Sequence, residues 1–515
     1  MRFYNACVYG RNKRPVRNSV ITIDKETGDI EDISVQPDYE PESGDFDCKG
    51  CVVMSSFMDS SVTLPGPEIF TIYGINLSSI NDVDGYLQRI ASYSIPKAGI
   101  RGFGINEHVA GQEGCERIKK MLDRVCPNLP AYIYFDDLTA VLVNDYVLEM
   151  AKDYFHVDKD THADGVLNMQ EMYELTYNTD IFKWAPDEIR IGLMAFQSKL
   201  MENGITDIRV VNVLGGHDVI EQVNTMSLNG MWNIETVVNV PIPGFVSEEK
   251  MWEIWNDYSK YSCDGVYVTG ISIMLDGSID SMQAALEEPY EVDKEWCGDI
   301  VWSLKKLNAT VKAFSENDID INIIAHGDRA VAMAADALLL VKSTSKSRCI
   351  ITRAYLVSES AMMSSTGSNI IYCIEPNSVP YAGSFYDGDK EMLGDRIYQE
   401  YPIGRLMYAG IKVISGSNTP TNPEVSPIGG VYKASHRTNE DDVTPYRVLQ
   451  SYQDVPREVF GLYHRVGDME VGMPATFILV NKDVVNMRED LLCDCEYMAT
   501  VVEGNVLWVS DKLGV

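Results

Sequence analysis

Ile321-Asn-Ile-Ile-Ala-His-Gly-Asp-Arg-Ala-Val-Ala-Met-Ala-Ala-Asp-Ala-Leu-Leu-Leu-Val341 is the stretch whose reading decides the fold. Ile321 to Ile324 is a short, largely apolar run of the kind that forms a strand buried on both faces. It breaks at the polar trio His326-Gly-Asp328, and Ala330 to Val341 then reads as a helix rich in alanine and leucine. Strand, polar break and helix form one unit of a parallel sheet, because parallel strands need a crossover to return to the same end.

The unit recurs outward in both directions. Ala131-Tyr-Ile-Tyr134, Ile208-Arg-Val-Val-Asn-Val213, Ile370-Ile-Tyr-Cys373 and Ile411-Lys-Val-Ile-Ser415 are further strand-like runs. Pro186 to Glu202 and Asp299 to Glu316 are further helical ones. Alternation sustained over residues 56–455 predicts an α/β fold, a closed (β/α)8 barrel of the TIM type. Residues 148–180 fit the alternation poorly and read as an insertion. The two ends differ from the middle. Val16 to Ile23, Ile30 to Val35, Ala475 to Val480, Met498 to Val502 and Val506 to Val509 are short strands separated by turns such as Lys25-Glu-Thr-Gly28 and Gly504-Asn505. Residues 1–55 and 456–515 are therefore expected to build one small β-sandwich domain from both ends of the chain. No internal repeat or low-complexity tract interrupts this plan.

Composition narrows the partners. With 43 basic and 76 acidic residues in 515, the formal net charge is −33. Such a field repels nucleic-acid phosphates and anionic membrane surfaces, so neither is expected as a partner. The mean hydropathy is −0.12, and no apolar run approaches a membrane span. The opening Met1-Arg-Phe-Tyr-Asn-Ala-Cys-Val-Tyr-Gly10 has no apolar leader, which points to a cytoplasmic protein. Eleven cysteines, an odd number thinly spread, fit a reducing compartment. Cys48 and Cys51, like Cys493 and Cys495, have the spacing of a metal knuckle or redox pair. Their placement in strand-rich segments favours inert packing. No phosphate-binding loop or dinucleotide fingerprint is present, so no cofactor is implied.

In such a barrel chemistry gathers at the C-terminal ends of the strands. Five places qualify: Asp59 to Thr63, Ser272 to Ser278, His326 to Asp328, Arg353, and Ser417-Asn418.

At these places the chain resembles the amidohydrolase-3 family, the group that includes N-substituted formamide deformylases. The resemblance rests on Gly50-Cys-Val-Val-Met-Ser-Ser-Phe-Met-Asp-Ser-Ser-Val-Thr63, Ile271-Ser-Ile-Met-Leu-Asp-Gly-Ser278 with Ala284-Ala-Leu-Glu-Glu-Pro-Tyr290, and Ile324-Ala-His-Gly-Asp-Arg-Ala-Val331. It continues through Ile351-Thr-Arg-Ala354, Glu375-Pro376, Gly416-Ser-Asn-Thr-Pro420 and Val466 to Thr476. It implies a barrel with a small β domain, a homodimer, and hydrolysis of non-peptide carbon–nitrogen bonds by one or two divalent ions.

The family holds those ions with histidines, a lysine and an aspartate. The matching positions here read Ser61, Thr63, Ser272, Ile324, Arg353 and Asn418. Hydroxyls, an amide and an alkyl chain are poor zinc ligands, and a guanidinium brings a fixed charge of the wrong sign. The expectation is therefore a degenerate site with no metal. Arg353 is the leading candidate for polarising a carbonyl or holding a carboxylate, with an ion pair to Asp59, Asp276 or Glu375 as its structural alternative. His326 is the candidate general acid or base. Asp328 either orients a catalytic partner or caps the following helix. Ser61, Thr63, Ser272, Asp276, Glu375 and Asn418 are expected to line the pocket. His217, after another strand, is a weaker candidate.

Three functions stay open. The first is a metal-independent acid–base enzyme, or a binder, acting on a small polar organic molecule. The second is a conventional metal-dependent hydrolase with unrecognised ligands. The third is a non-catalytic pseudoenzyme scaffold.

Overall fold

The computed structural model describes residues 1–9, 14–154, 162–379, 387–437, 441, 443–462, 469–486 and 489–514. The Val466 to Asp468 portion of the last motif quoted above lies outside them. Eight strands form one parallel sheet: β1 (Phe57–Leu64), β2 (Ile205–Val213), β3 (Glu235–Pro241), β4 (Val266–Met274), β5 (Asp320–Ala325), β6 (Cys349–Arg353), β7 (Ile370–Ile374) and β8 (Lys412–Ser415). Each pairs with its predecessor in chain order, from β8 back to β1. The seam closes just beyond β8. Val62 bridges Thr419 in parallel, Thr63 N–H donates to Thr419 O at 2.9 Å, and Asn418 N–H donates to Ser61 O at 2.9 Å. The barrel of the sequence reading is present.

β1, β2, β3, β5, β6 and β7 are buried along their whole lengths. That explains their share of apolar residues, since helices cover one face and the barrel interior fills the other. Serines set several helix starts: Ser247, Ser303 and Ser358 each accept a backbone N–H three residues on, from Lys250, Lys306 and Ala361. Such caps satisfy donors that have no partner within the helix. Hence the helix expected from Asp299 begins at Leu304.

The barrel interior is not purely apolar. Arg209 of β2 is fully buried. It donates to Ser60 O (2.7 Å), Asn239 Oδ1 (3.0 Å), Asn322 Oδ1 (2.9 Å) and Thr352 Oγ1 (2.8 Å), tying together β1, β3, β5 and β6. Burial lowers the guanidinium pKa, against the pull of nearby Cys373, Asp320 and Asp59.

Between β1 and β2 the chain leaves the barrel for a second sheet. This has five strands in the order Val166–Asn168, Ala140–Val143, Ala131–Phe135, Ile100–Ile105, Ile75–Asn76. Ala131 to Tyr134, read as a barrel strand, belongs here. Its apolar run matched a barrel strand because it too is buried on both faces. The departure from the barrel is accordingly longer than the stretch 148–180 that broke the sequence pattern.

Strands from both chain ends join one further hydrogen-bonded sheet. Arg2–Tyr9 pairs with Pro15–Ile23 and with Val52–Ser55, which in turn pairs with Phe477–Val480. Phe3, Val8, Ile21, Val53, Phe477, Leu479 and Val501 fill its core. Cys48 and Cys51 are buried free thiols there, and burial raises both thiol pKa values. Cys493 and Cys495 form no disulfide among the described residues. No helix among the described residues is long and apolar enough to cross a membrane.

Candidate active site

The mouth of the barrel forms where the strands end. β6 stops at Arg353, where Arg353 and Ala354 take positive φ angles of 78° and 44°. Left-handed backbone at non-glycine residues costs free energy and is held only where surrounding contacts enforce it. Here Ala354 N–H donates to Ala325 O at the end of β5 (2.8 Å). The turn lays Arg353 along the mouth, where its side chain lines a cavity of about 300 Å³ while remaining only 2 % exposed.

Arg353 belongs to a buried cluster. Its Nε lies 4.0 Å from Glu375 Oε1, and neither atom has a hydrogen-bond partner. Glu375 Oε2 accepts the Tyr355 hydroxyl at 2.9 Å. Asn418 Nδ2 donates to the same phenol oxygen at 3.4 Å. Burial pushes the Glu375 carboxyl up, opposed by Arg353 and by the Tyr355 hydrogen bond. Burial works against the charge on Arg353, but Glu375 and Tyr355 carry its pKa above the usual value. Arg353 is thus a permanent cation at this depth.

On the other side of the seam, Asp59 Oδ1 accepts Ser61 N–H (3.1 Å) and Ser417 N–H (2.8 Å). Burial lifts this carboxyl to about 6 against those hydrogen bonds, and Glu375 adds to the rise. Asp59 Oδ2 and Ser61 Oγ have no hydrogen-bond partner. Thr63 is buried one strand repeat further along β1.

His326 and Asp276 meet away from the Arg353 cavity. Asp276 Oδ1 accepts His326 N–H at 2.8 Å and lies 3.2 Å from the ring Nδ1. Its Oδ2 accepts Gly327 N–H and Ala285 N–H, both at 2.9 Å. Expected on a substrate, Asp276 is instead engaged by three backbone donors and fastens two loops together. The imidazole edge packs on Tyr355 with ring centroids 5.1 Å apart, so His326 touches the Arg353 cluster from behind. Asp328 Oδ1 accepts Arg329 N–H (3.0 Å) and Glu287 N–H (2.7 Å). It secures the start of its helix and does not line the cavity. His217 packs on Tyr258 and Tyr261 at its helix start, outside both cavities described.

Ser272 and Ile324 line a second cavity of about 320 Å³ over β2 to β5, with Asn212, Tyr173 and Trp302. Ser272 Oγ accepts Asn322 Nδ2 at 2.9 Å. Of the six positions compared with the family's metal ligands in the sequence, Arg353 and Asn418 line the first cavity, Ser272 and Ile324 line the second, and Ser61 and Thr63 line neither.

Several residues not singled out in the sequence reading line the Arg353 cavity: Asp136, Asp137, Asp280, Asp389, Tyr355 and Lys433. Asp137 Oδ2 accepts the Ser278 hydroxyl at 2.6 Å, which docks the inserted sheet onto the segment after β4. Burial and the neighbouring Asp137 and Asp280 push Asp136 up to about 8. The signal lay in the sequence, since a buried strand running into Asp136-Asp137 has the form of an active-site strand end.

A closed parallel barrel with unpartnered buried polar atoms at its strand ends defines a TIM-barrel protein with a site at the usual face. The sequence model described as amidohydrolase family matches residues 46–508, and the chain belongs to that family. Similar solved structures include an uncharacterized metal-dependent hydrolase from Pyrococcus horikoshii OT3. It is 18% identical, with 95% of this chain and 99% of that one covered and a TM-score of 0.71. A counterpart from Pyrococcus furiosus is 16% identical, covering 94% and 99%, with a TM-score of 0.69. A Xaa-Pro dipeptidase with methionine bound in its active site is 12% identical, covering 99% of each chain, with a TM-score of 0.57. No curated protein matches the sequence.

Proposed function

We propose that this protein is an amidohydrolase-fold member with a degenerate metal site, acting on, or binding, a small polar organic molecule in the Arg353 cavity. One observation carries the reading: the buried guanidinium of Arg353, a residue that the sequence resemblance sets against a metal ligand of the family, has its Nε unpartnered and its side chain lining a cavity. A buried donor without an acceptor costs about 1–3 kcal/mol, which an oxygen of a bound molecule would offset.

The metal implied by the family does not fit this donor set. Ser61 and Thr63 offer neutral hydroxyls, Ile324 offers nothing, and Asn418 offers an amide. Arg353 adds a positive charge where a cation would have to sit. Among the described residues no three histidine, cysteine, aspartate or glutamate side chains converge as a metal site. No step is therefore routed through an ion.

In this reading Arg353 orients the molecule and draws electron density from a carbonyl, or pairs with a carboxylate. Glu375 accepts the Tyr355 hydroxyl and supplies the base, its carboxyl raised by burial. His326, braced by Asp276, supports Tyr355 from behind and takes a positioning role.

The conventional metal-dependent hydrolase remains the second reading, because the Pyrococcus structures bear that description. Elemental analysis of the purified protein, with melting curves in zinc and in chelator, separates the two. The expected result is far less than one ion per chain and an unmoved melting temperature. A stoichiometric ion whose removal lowers the melting temperature overturns the proposal.

A further inference from the structure

The Arg353 cavity carries an excess of acidic side chains, whose burial and crowding raise the carboxyls of Asp136, Asp280 and Asp389 and which a bound cation would let ionise. Four carboxylates line it: Asp136 and Asp137 from the loop after Ala131–Phe135, Asp280 from the segment after β4, and Asp389 from the helix Asp387–Leu393. Against them stand Arg353 and Lys433, and Lys433 Nζ is already 2.7 Å from Glu424 Oε2 and 2.8 Å from Asn377 O. One guanidinium thus faces four acids in a half-enclosed space. Like charges so placed need a counter-charge, and Arg353 alone does not supply enough.

Elsewhere some carboxylates are matched directly by a guanidinium. Arg101 meets Glu188 through both nitrogens of its fork at 2.8 and 2.7 Å, and Arg348 meets Asp320 at 2.8 Å. In the Arg353 cavity, by contrast, the guanidinium of Arg353 retains a donor without an acceptor. Arg353 Nε, with its residue 2 % exposed, makes no hydrogen bond. A guanidinium seeking an acceptor beside acids seeking a cation is a complementary pair of demands.

We infer that the molecule held at Arg353 is a zwitterion, its anionic group on the Arg353 guanidinium and an ammonium group among Asp280, Asp389 and Asp136. The inference rests on the proposed role of Arg353 and adds the charge of the other end. Asp137 has a different task. Its Oδ1 accepts Thr139 N–H and Oγ1–H, and its Oδ2 accepts Ser278, so it shapes the wall and carries charge without a free oxygen. A cavity of about 300 Å³ suits a molecule of amino-acid size.

The test uses three probes of one carbon skeleton: 4-aminobutyrate, butyrate and butylamine. Their binding to the full-length protein is measured by calorimetry and by melting shift. 4-Aminobutyrate should bind best, by about tenfold over butyrate. Asp280→Asn and Asp389→Asn should each weaken 4-aminobutyrate and butylamine while leaving or improving butyrate. Two variants at separate segments guard against one of them misfolding, and their melting temperatures are compared with wild type. Arg353→Gln should weaken 4-aminobutyrate and butyrate but spare butylamine. Butyrate binding as tightly as 4-aminobutyrate overturns the inference, as does failure of all three probes to bind. Unchanged 4-aminobutyrate affinity in both aspartate variants sinks the ammonium subsite and leaves Arg353 standing. Unchanged affinity in Arg353→Gln sinks the reading of Arg353 instead.

Discussion

Arg353 Nε and Glu375 Oε1 face each other at 4.0 Å across the barrel mouth, the first residue 2 % exposed and the second 0 %. The separation is too long for a hydrogen bond and short enough for strong attraction at low dielectric. Each charge is therefore held in the interior mainly by the other.

A double-mutant cycle on this pair has a definite expected outcome. Arg353→Met leaves Glu375 buried without its cation, which should cost about 3–5 kcal/mol of stability. Glu375→Gln should cost less, because the neutral amide still accepts the Tyr355 hydroxyl. The double variant should recover much of the loss of Arg353→Met. Chemical denaturation midpoints measure all three. Additive losses would mean that the two charges do not depend on one another.

Stability should fall as pH rises through the neutral range. Burial holds Asp59 at about 6, Glu68 at about 7, and Asp136 and Glu107 at about 8. Each value lies above the unfolded one near 4, so the folded chain keeps these protons longer than the unfolded chain does. Their contribution is whole below about pH 4 and is lost as pH climbs through 6 to 8, by up to about 1.4 kcal/mol per pH unit per proton. Glu188 is held down by Arg101 and has the opposite sign, but its loss falls at lower pH. Denaturation at pH 5, 7 and 9 should show a decline, and Asp136→Asn should flatten part of it. A stability that rises over this range would contradict the assignment.

Arg209 should be intolerant of lysine. Its guanidinium reaches four acceptors on four strands, whereas an ammonium has three donors on a flexible stem. Arg209→Lys leaves at least one of those acceptors unmatched, and Arg209→Ala leaves them all. Losses of about 1–3 kcal/mol per stranded buried group are expected, so the alanine variant should be much the worse. Melting temperatures of the two variants check the order.

The barrel was legible because its strands are buried on both faces and its polar residues fall at strand ends. Ile321 to Asp328 shows both features within eight residues. What stayed hidden has physical causes. Ala131 to Tyr134 carries the same apolar pattern as a barrel strand, and only pairing with Ile100–Ile105 assigns it to the inserted sheet. Asp136, Asp280 and Asp389 lie far apart in sequence and meet only because that sheet folds back over the mouth. In sequence Asp276 reads as lining the pocket and His326 as a candidate general acid or base. Pattern alone could not show that three backbone donors engage the carboxylate and turn the histidine toward Tyr355. Arg353 and Asn418 were singled out by substitution against a resembled motif, and both reach the cluster.

The seam between β8 and β1 gives the most local test of how the mouth is held. A Cβ added at Gly416 would lie 2.4 Å from Ser61 N and 2.5 Å from Ser61 Cβ. Nothing at that distance is a flexible side-chain end, so the backbone of one strand has to move. The same few residues carry the Asp59 carboxylate across the seam to Ser417 N–H and hold Asn418 at a φ of 61°. Gly416→Ala should therefore do two things together: lower the melting temperature and disturb the Asn418–Tyr355–Glu375 contacts. If the Arg353 cavity binds a ligand, that binding should weaken in Gly416→Ala even though residue 416 does not line the cavity. Crowding of the seam would displace Asn418, and the phenol it supports, from the wall. A variant that melts lower but binds unchanged would show that the seam and the cavity wall move independently.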